Sequence, residues 1–89
     1  MIRFDPRKRI RTLEACGLDF LDAERAFAGP TLEFVDARRD YGEARTVCLR
    51  LLQGRMVVVV YTQRPLYRQI ISMRKANARE QLRYRHHLS

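Results

Sequence analysis

The sequence predicts an α+β domain: two N-terminal helices, a four-stranded antiparallel sheet and a C-terminal helix, with room for an extra short strand at the start. Three observations lead there. Helix start and stop signals crowd the first thirty residues. Apolar and β-branched runs separated by turn residues fill the second half. The last ten or so residues return to helical spacing. At 89 residues the chain is long enough for one domain, 1–89, and no more.

Met1–Phe4 suits the short first strand. Asp5-Pro6 reads as a helix start, with Asp as N-cap and Pro at the first helical position. Ile10, Leu13 and Ala15 give that helix a partial apolar stripe, and Gly17 can end it. Arg7, Lys8 and Arg9 sit where the helix dipole disfavours cations, so stability does not explain them. Asp19 can cap a second short helix carrying Leu21, Ala23, Ala26 and Phe27, which Gly29-Pro30 stops. Thr31–Val35 reads as a strand and Asp36–Gly42 as a polar loop. Ala44–Leu52 has strand composition, and Gln53-Gly54 is a two-residue turn. Met56–Thr62 is almost wholly apolar, as in a central strand buried on both faces. Arg64-Pro65 breaks it. In Tyr67–Met73 alternation puts Tyr67, Gln69, Ile71 and Met73 on one side and Arg68, Ile70, Ser72 and Arg74 on the other. Asn77–His87 reads as the final helix.

Eighteen Lys and Arg oppose ten Asp and Glu, a formal charge of +8. Apart from Lys8 and Lys75, all of these cations are Arg. Arginine grips phosphate through a planar fork and stacks on bases, so a polyanion is the expected partner. From Arg64 onward there are seven Lys or Arg residues and one acid, Glu80. A chain this short buries only ~60–65% of its unfolded surface, so function is expected on an open face or shallow groove. Cys16 and Cys48 lack C-x-x-C spacing, which suggests reduced thiols, no metal site and a cytoplasmic protein. No apolar run approaches the ~18 residues of a membrane span, and the charged start does not read as a signal peptide.

The chemistry-bearing candidates lie in the last third. Arg68 and Arg74, about 20 Å apart along an extended strand at ~3.3 Å per residue, are expected to line one groove with Ser72 between them. Arg79 and Arg83 share a helix stripe one turn apart. Glu80, Tyr84, His86 and His87 are candidates for acid–base work. Arg64, Lys75, Arg83 and Lys8 are candidates for holding RNA phosphates.

Six segments in order resemble the BrnT family of toxins. Phe4-Asp5-Pro6 with Lys8 is similar to its F-x-D-x-x-K opening. Gly17-Leu18-Asp19-Phe20 with Ala23 and Phe27 is similar to G-V-S-F-x-x-A-x-x-V-F. Gly42-Glu43-Ala44-Arg45 resembles G-E-x-R, and Val58 to Arg64 resembles V-V-V-Y-T-E-R. Arg68 to Ala76 resembles R-x-I-S-x-R-K-A, followed by Arg79-Glu80. The resemblance implies a RelE-like fold, a metal-independent, cofactor-free ribonuclease, and an antitoxin of the BrnA, ribbon-helix-helix type. It implies that operator DNA is bound only by the toxin–antitoxin complex, and that Arg64, Arg68, Ser72, Arg74 and Arg79 form the polar cluster.

Thr12, Ala15 and Cys16 stand where the family commonly has Asn, Lys and His, and Gln63 stands for its Glu. Two other readings therefore fit the same residues. One is a BrnT-like protein that binds RNA or an antitoxin without cleaving. The other is a basic face that docks an acidic protein partner.

Overall fold

The computed structural model describes residues 1–36 and 44–88. Along the chain run β1 (Ile2–Arg3), α1 (Pro6–Cys16), a 3-10 turn (Phe20–Asp22), α2 (Ala23–Phe27), β2 (Leu32–Val35), β3 (Thr46–Leu52), β4 (Arg55–Gln63), β5 (Arg68–Lys75) and α3 (Ala78–Leu88). Most of the expected polar loop, with Gly42 and Glu43, lies outside the described residues.

Local chemistry sets the helix ends. Asp5 Oδ1 accepts from the Arg7 N–H at 2.9 Å, with Pro6 at the first helical position. Gly17 closes α1 with φ +71°, a left-handed conformation, and its N–H donates to the Leu13 carbonyl. Asp19 caps the 3-10 turn through the Leu21 N–H at 3.0 Å. The second helix is shorter than the sequence suggests: a 3-10 turn runs directly into the five residues of α2.

The sheet has five strands in the order β1-β5-β4-β3-β2, the fifth being the short N-terminal strand for which the sequence left room. β2 to β5 are antiparallel, as expected. β1 adds a parallel edge, pairing Ile2 with Arg68 and Arg3 with Gln69, so the sheet is mixed. Between β3 and β4, Gln53 and Gly54 have φ of +52° and +77°, the twist a two-residue hairpin needs.

β4 lies in the middle and is paired on both sides. Val57, Val59 and Tyr61 join Cys48, Ile70 and Met73 in one core layer, where Phe20, Ala23 and Ala26 cover them. Phe20 is 1% exposed; burying a side chain of that class contributes about 1.5–3 kcal/mol. Val58 faces the other way and joins Val47, Leu49, Met56 and Leu88, with Val60 and Tyr84 packed alongside. α3 covers only part of that second face. A cleft occupies the remainder.

The alternation expected along β5 breaks in its middle. Val60 pairs with Ser72, yet its neighbour Tyr61 pairs with Ile70. Ile71 is the extra residue of a β-bulge. Upstream, Arg68 and Ile70 belong to the helix-covered face. Downstream, Met73 belongs to that face, and Ser72 and Arg74 to the cleft. Arg68 therefore does not share a groove with Ser72 and Arg74.

Candidate functional site

The cleft on the second face encloses about 590 Å³. Its floor is Val47, Val58 and Val60, supplied by the period-two alternation of β3 and β4. β5 contributes Ile71, Ser72 and Arg74, and α3 contributes Arg79, Glu80, Arg83 and Tyr84. Phe34, Val35, Asp36 and Arg45 form the far rim. Among the described residues, four guanidinium groups thus surround an apolar floor, with two carboxylates among them.

Two features organise this rim. Arg74 reaches Glu80 through both terminal nitrogens, Nη1 to Oε1 at 2.8 Å and Nη2 to Oε2 at 2.9 Å. The Phe34 and Tyr84 rings lie 6.1 Å apart and tilted by 31°, and the Arg83 guanidinium stands 5.4 Å over Tyr84. An aromatic pair at the cleft rim, Phe34 exposed and Tyr84 half-buried, flanked by arginines can stack bases while the guanidiniums meet phosphates.

The structure brings together Ser72, Arg74, Arg79, Arg83, Glu80 and Tyr84. It places the other sequence candidates elsewhere. Arg68 lies on the opposite face, its guanidinium 4.2 Å over the Phe27 ring and 5.5 Å from that of Tyr61. Lys75 pairs with Val57, which assigns it to the same side as Arg68. Lys8 sits on α1, and the Arg64 N–H donates to the Tyr67 carbonyl in the β4–β5 turn. His86 and His87 lie in α3, as the sequence suggests, with ring centroids 4.4 Å apart. His86 lines a separate hollow on the outer side of α3 with Ala78, Gln81, Leu82 and Arg85.

Phe34, Asp36 and Arg45 line the cleft without having been singled out for a role. The period of β2 pairs Phe34 with Val47 and so turns it to the cleft. In the sequence, Phe34 is one apolar residue among several.

The residues that replace common family ones also lie away from the cleft. Thr12, Ala15 and Cys16 are on α1, and the Cys16 thiol donates to the Thr12 carbonyl at 3.2 Å. Gln63 Nε2 donates to the Arg64 and Tyr67 carbonyls at 2.8 and 3.3 Å, pinning the β4–β5 turn.

The helix-covered side holds its own polar network. The Tyr61 hydroxyl donates to Glu33 Oε1 at 2.8 Å. Burial first, then Glu33, pushes that phenol above its ordinary value, with Arg68 opposing the shift. Cys48 is pushed up to about 12, chiefly by burial. Among the described residues no cluster of His, Cys, Asp and Glu is arranged to hold a metal ion. None of their helices is long and apolar enough to cross a membrane.

Known proteins give this geometry a setting. A family model described as ribonuclease toxin, BrnT, of type II toxin–antitoxin system matches residues 4–80. The chain is similar to the 1.1 Å crystal structure of the Brucella abortus ribonuclease toxin BrnT, at 25% identity and a TM-score of 0.67, over 85% of this chain and 95% of that one. No curated protein sequence matches it. Since the family match spans most of its length, the chain belongs to the BrnT family of ribonuclease toxins of type II toxin–antitoxin systems.

Proposed function

We propose that the cleft is the RNA-cleaving site, and that Arg74, Arg79 and Ser72 contact the scissile phosphodiester while Arg83 and Arg45 hold neighbouring phosphates. Family membership brings an RNA substrate and an antitoxin partner. The observation that carries the assignment is the convergence of these groups from β5, α3 and the start of β3 on one half-open surface.

The chemistry follows from the substrate. RNA supplies its own nucleophile, the 2′-hydroxyl, which attacks the adjacent phosphorus and displaces the 5′-oxygen. The product ends are a 2′,3′-cyclic phosphate and a 5′-hydroxyl. The site must align the attack and stabilise the charge that gathers on the phosphoryl oxygens. Guanidiniums bordering the valine floor do so as donors held in place; one such donor is worth about 3–4 kcal/mol where water is excluded. Phe34 and Tyr84 hold a base by stacking. Tyr84 is the candidate for moving a proton, because His86 and His87 do not line the cleft and Glu80, which does, is engaged by Arg74 through both carboxylate oxygens.

The finer partner assignments extend the same reading. The antitoxin is of the ribbon-helix-helix BrnA type, operator DNA is bound only by the complex, and the protein works in the cytoplasm. The decisive experiment incubates purified protein with a defined RNA in chelator. Cyclic-phosphate ends, and an uncut RNA when the scissile nucleotide is 2′-deoxy, support the reading. Intact RNA under all conditions would favour binding without cleavage, the reading that Thr12, Ala15, Cys16 and Gln63 suggest.

A further inference from the structure

One wall of the cleft carries a three-residue linkage whose purpose goes beyond holding a helix. Asn77 precedes α3, and its Oδ1 accepts from the Glu80 N–H at 2.8 Å. In return the Asn77 N–H donates to Glu80 Oε1 at 2.9 Å. This reciprocal pair is a capping box, which satisfies two backbone donors at the helix start. Capping needs only one carboxylate oxygen. Glu80 uses both, because Arg74 donates to each of them at 2.8 and 2.9 Å. Arg74 Nη1 also approaches the Lys75 carbonyl at 3.3 Å. One carboxylate thus ties the start of α3 to a guanidinium that projects from the neighbouring strand.

The consequence concerns mobility. An arginine side chain has several rotatable bonds and, when exposed, samples many directions. Arg74 is 51% exposed at its side chain, whereas Glu80 is 23% exposed and anchored at the backbone by Asn77. A two-point contact to an anchored carboxylate selects one direction for the guanidinium plane. A donor already oriented at the reacting phosphate stabilises developing charge without first reorganising.

We propose that Glu80 is a positioning residue: it fixes Arg74 for the phosphodiester and leaves proton transfer to other groups. The inference rests on the reading of Arg74 as a phosphate-contacting residue.

Two substitutions separate the linkage into its parts. Glu80→Gln keeps the capping box, which accepts Gln at this position, and removes the charged pair. Asn77→Ala removes the cap and keeps the pair. Each protein is assayed for kcat, KM and pH–rate profile on a defined RNA, and for thermal midpoint. The expected result for Glu80→Gln is a kcat lowered about tenfold with KM nearly unchanged, as for a group misplaced only in the transition state. Asn77→Ala should melt earlier and keep its kcat. In an Arg74→Ala background Glu80→Gln should cost nothing further.

An unchanged kcat in Glu80→Gln, alongside a large loss in Arg74→Ala, overturns the inference and leaves the cleft assignment standing. So does the disappearance of one limb of the pH–rate profile in Glu80→Gln, which makes Glu80 a proton-transfer group. An Arg74→Ala protein that cleaves like the parent overturns the cleft assignment, and this inference with it.

Discussion

Arg68 and Arg74 emerge from one strand on opposite faces of the sheet, with the bulge residue Ile71 between them. Arg68 is half-buried against Phe27 and Tyr61, with its Nε lacking a hydrogen-bond partner among the described residues. Arg74 projects into the cleft. The two arginines therefore have separable roles. Arg68→Ala should lower folding stability by about 1–2 kcal/mol through lost ring stacking and stem packing, and leave cleavage nearly unchanged. Arg74→Ala should lower cleavage on the order of 100-fold. Thermal unfolding and single-turnover cleavage on both proteins check the pair.

The aromatic wall makes a second prediction. Replacing Phe34 by Ala should weaken RNA binding by about 1–3 kcal/mol, the range for one lost stacking contact. Tyr84→Phe keeps the ring and removes the hydroxyl. If Tyr84 only stacks, this variant binds and cuts like the parent. If it moves a proton, binding holds while kcat falls and one limb of the pH–rate profile shifts. Fluorescence anisotropy with a short RNA, beside a kinetic pH series, distinguishes the two.

Asp19 gives the fold an acid-sensitive clamp. It accepts from Arg9 at 2.7 and 3.0 Å and from the Leu21 N–H at 3.0 Å. The Arg9 hydrogen bond, then that of Leu21, pushes the carboxyl down to about 2 from the usual 3.8. A lowered folded-state value means the unfolded chain takes up the proton first. Its contribution is complete above about pH 4 and disappears as the pH falls towards 2. Asp19→Ala should lose about 1 kcal/mol at neutral pH from the missing cap, and should show a shallower stability decline below pH 4. Denaturant unfolding across pH 2–7 tests both parts.

The two cysteines should differ in reactivity. Burial pushes the Cys48 thiol up to about 12, and it is fully covered by the core. The thiolate is the reactive form, so native Cys48 should resist alkylation at pH 8. Cys16 is only partly buried and should be modified first. Mass spectrometry after brief iodoacetamide treatment, with and without denaturant, reads the difference.

What the sequence reveals here depends on how local the cause is. Asp5-Pro6, Gly17, Asp19, Gln53-Gly54 and Gly29-Pro30 impose their geometry on adjacent backbone, and the structure has each boundary at or beside the expected residue. Met56–Thr62 is identifiable because a strand covered on both faces must be apolar throughout. The bulge at Ile71 is set by pairing with Val60 and Tyr61, and nothing in the residues 67–75 marks it. The parallel pairing of β1 likewise depends on where α1 returns the chain. For the site, the cationic stretch from Arg74 to Arg83 is evident from charge alone, whereas Phe34 and Arg45 reach it from distant strands. The sequence also misplaces Arg68 relative to the cleft, since one missed residue of register reverses a strand face.

The cleft joins parts of very different permanence. β4 is hydrogen-bonded along both edges, so its amides should exchange with deuterium only when the whole molecule opens. α3 is eleven residues long, too short to persist alone in water, and is fastened chiefly by Leu88, Tyr84 and the Arg74–Glu80 link. Its amides should exchange through a shallower local opening. A ligand that grips both parts would close that gap, so slowed exchange in α3 gives a readout of occupancy that needs no turnover.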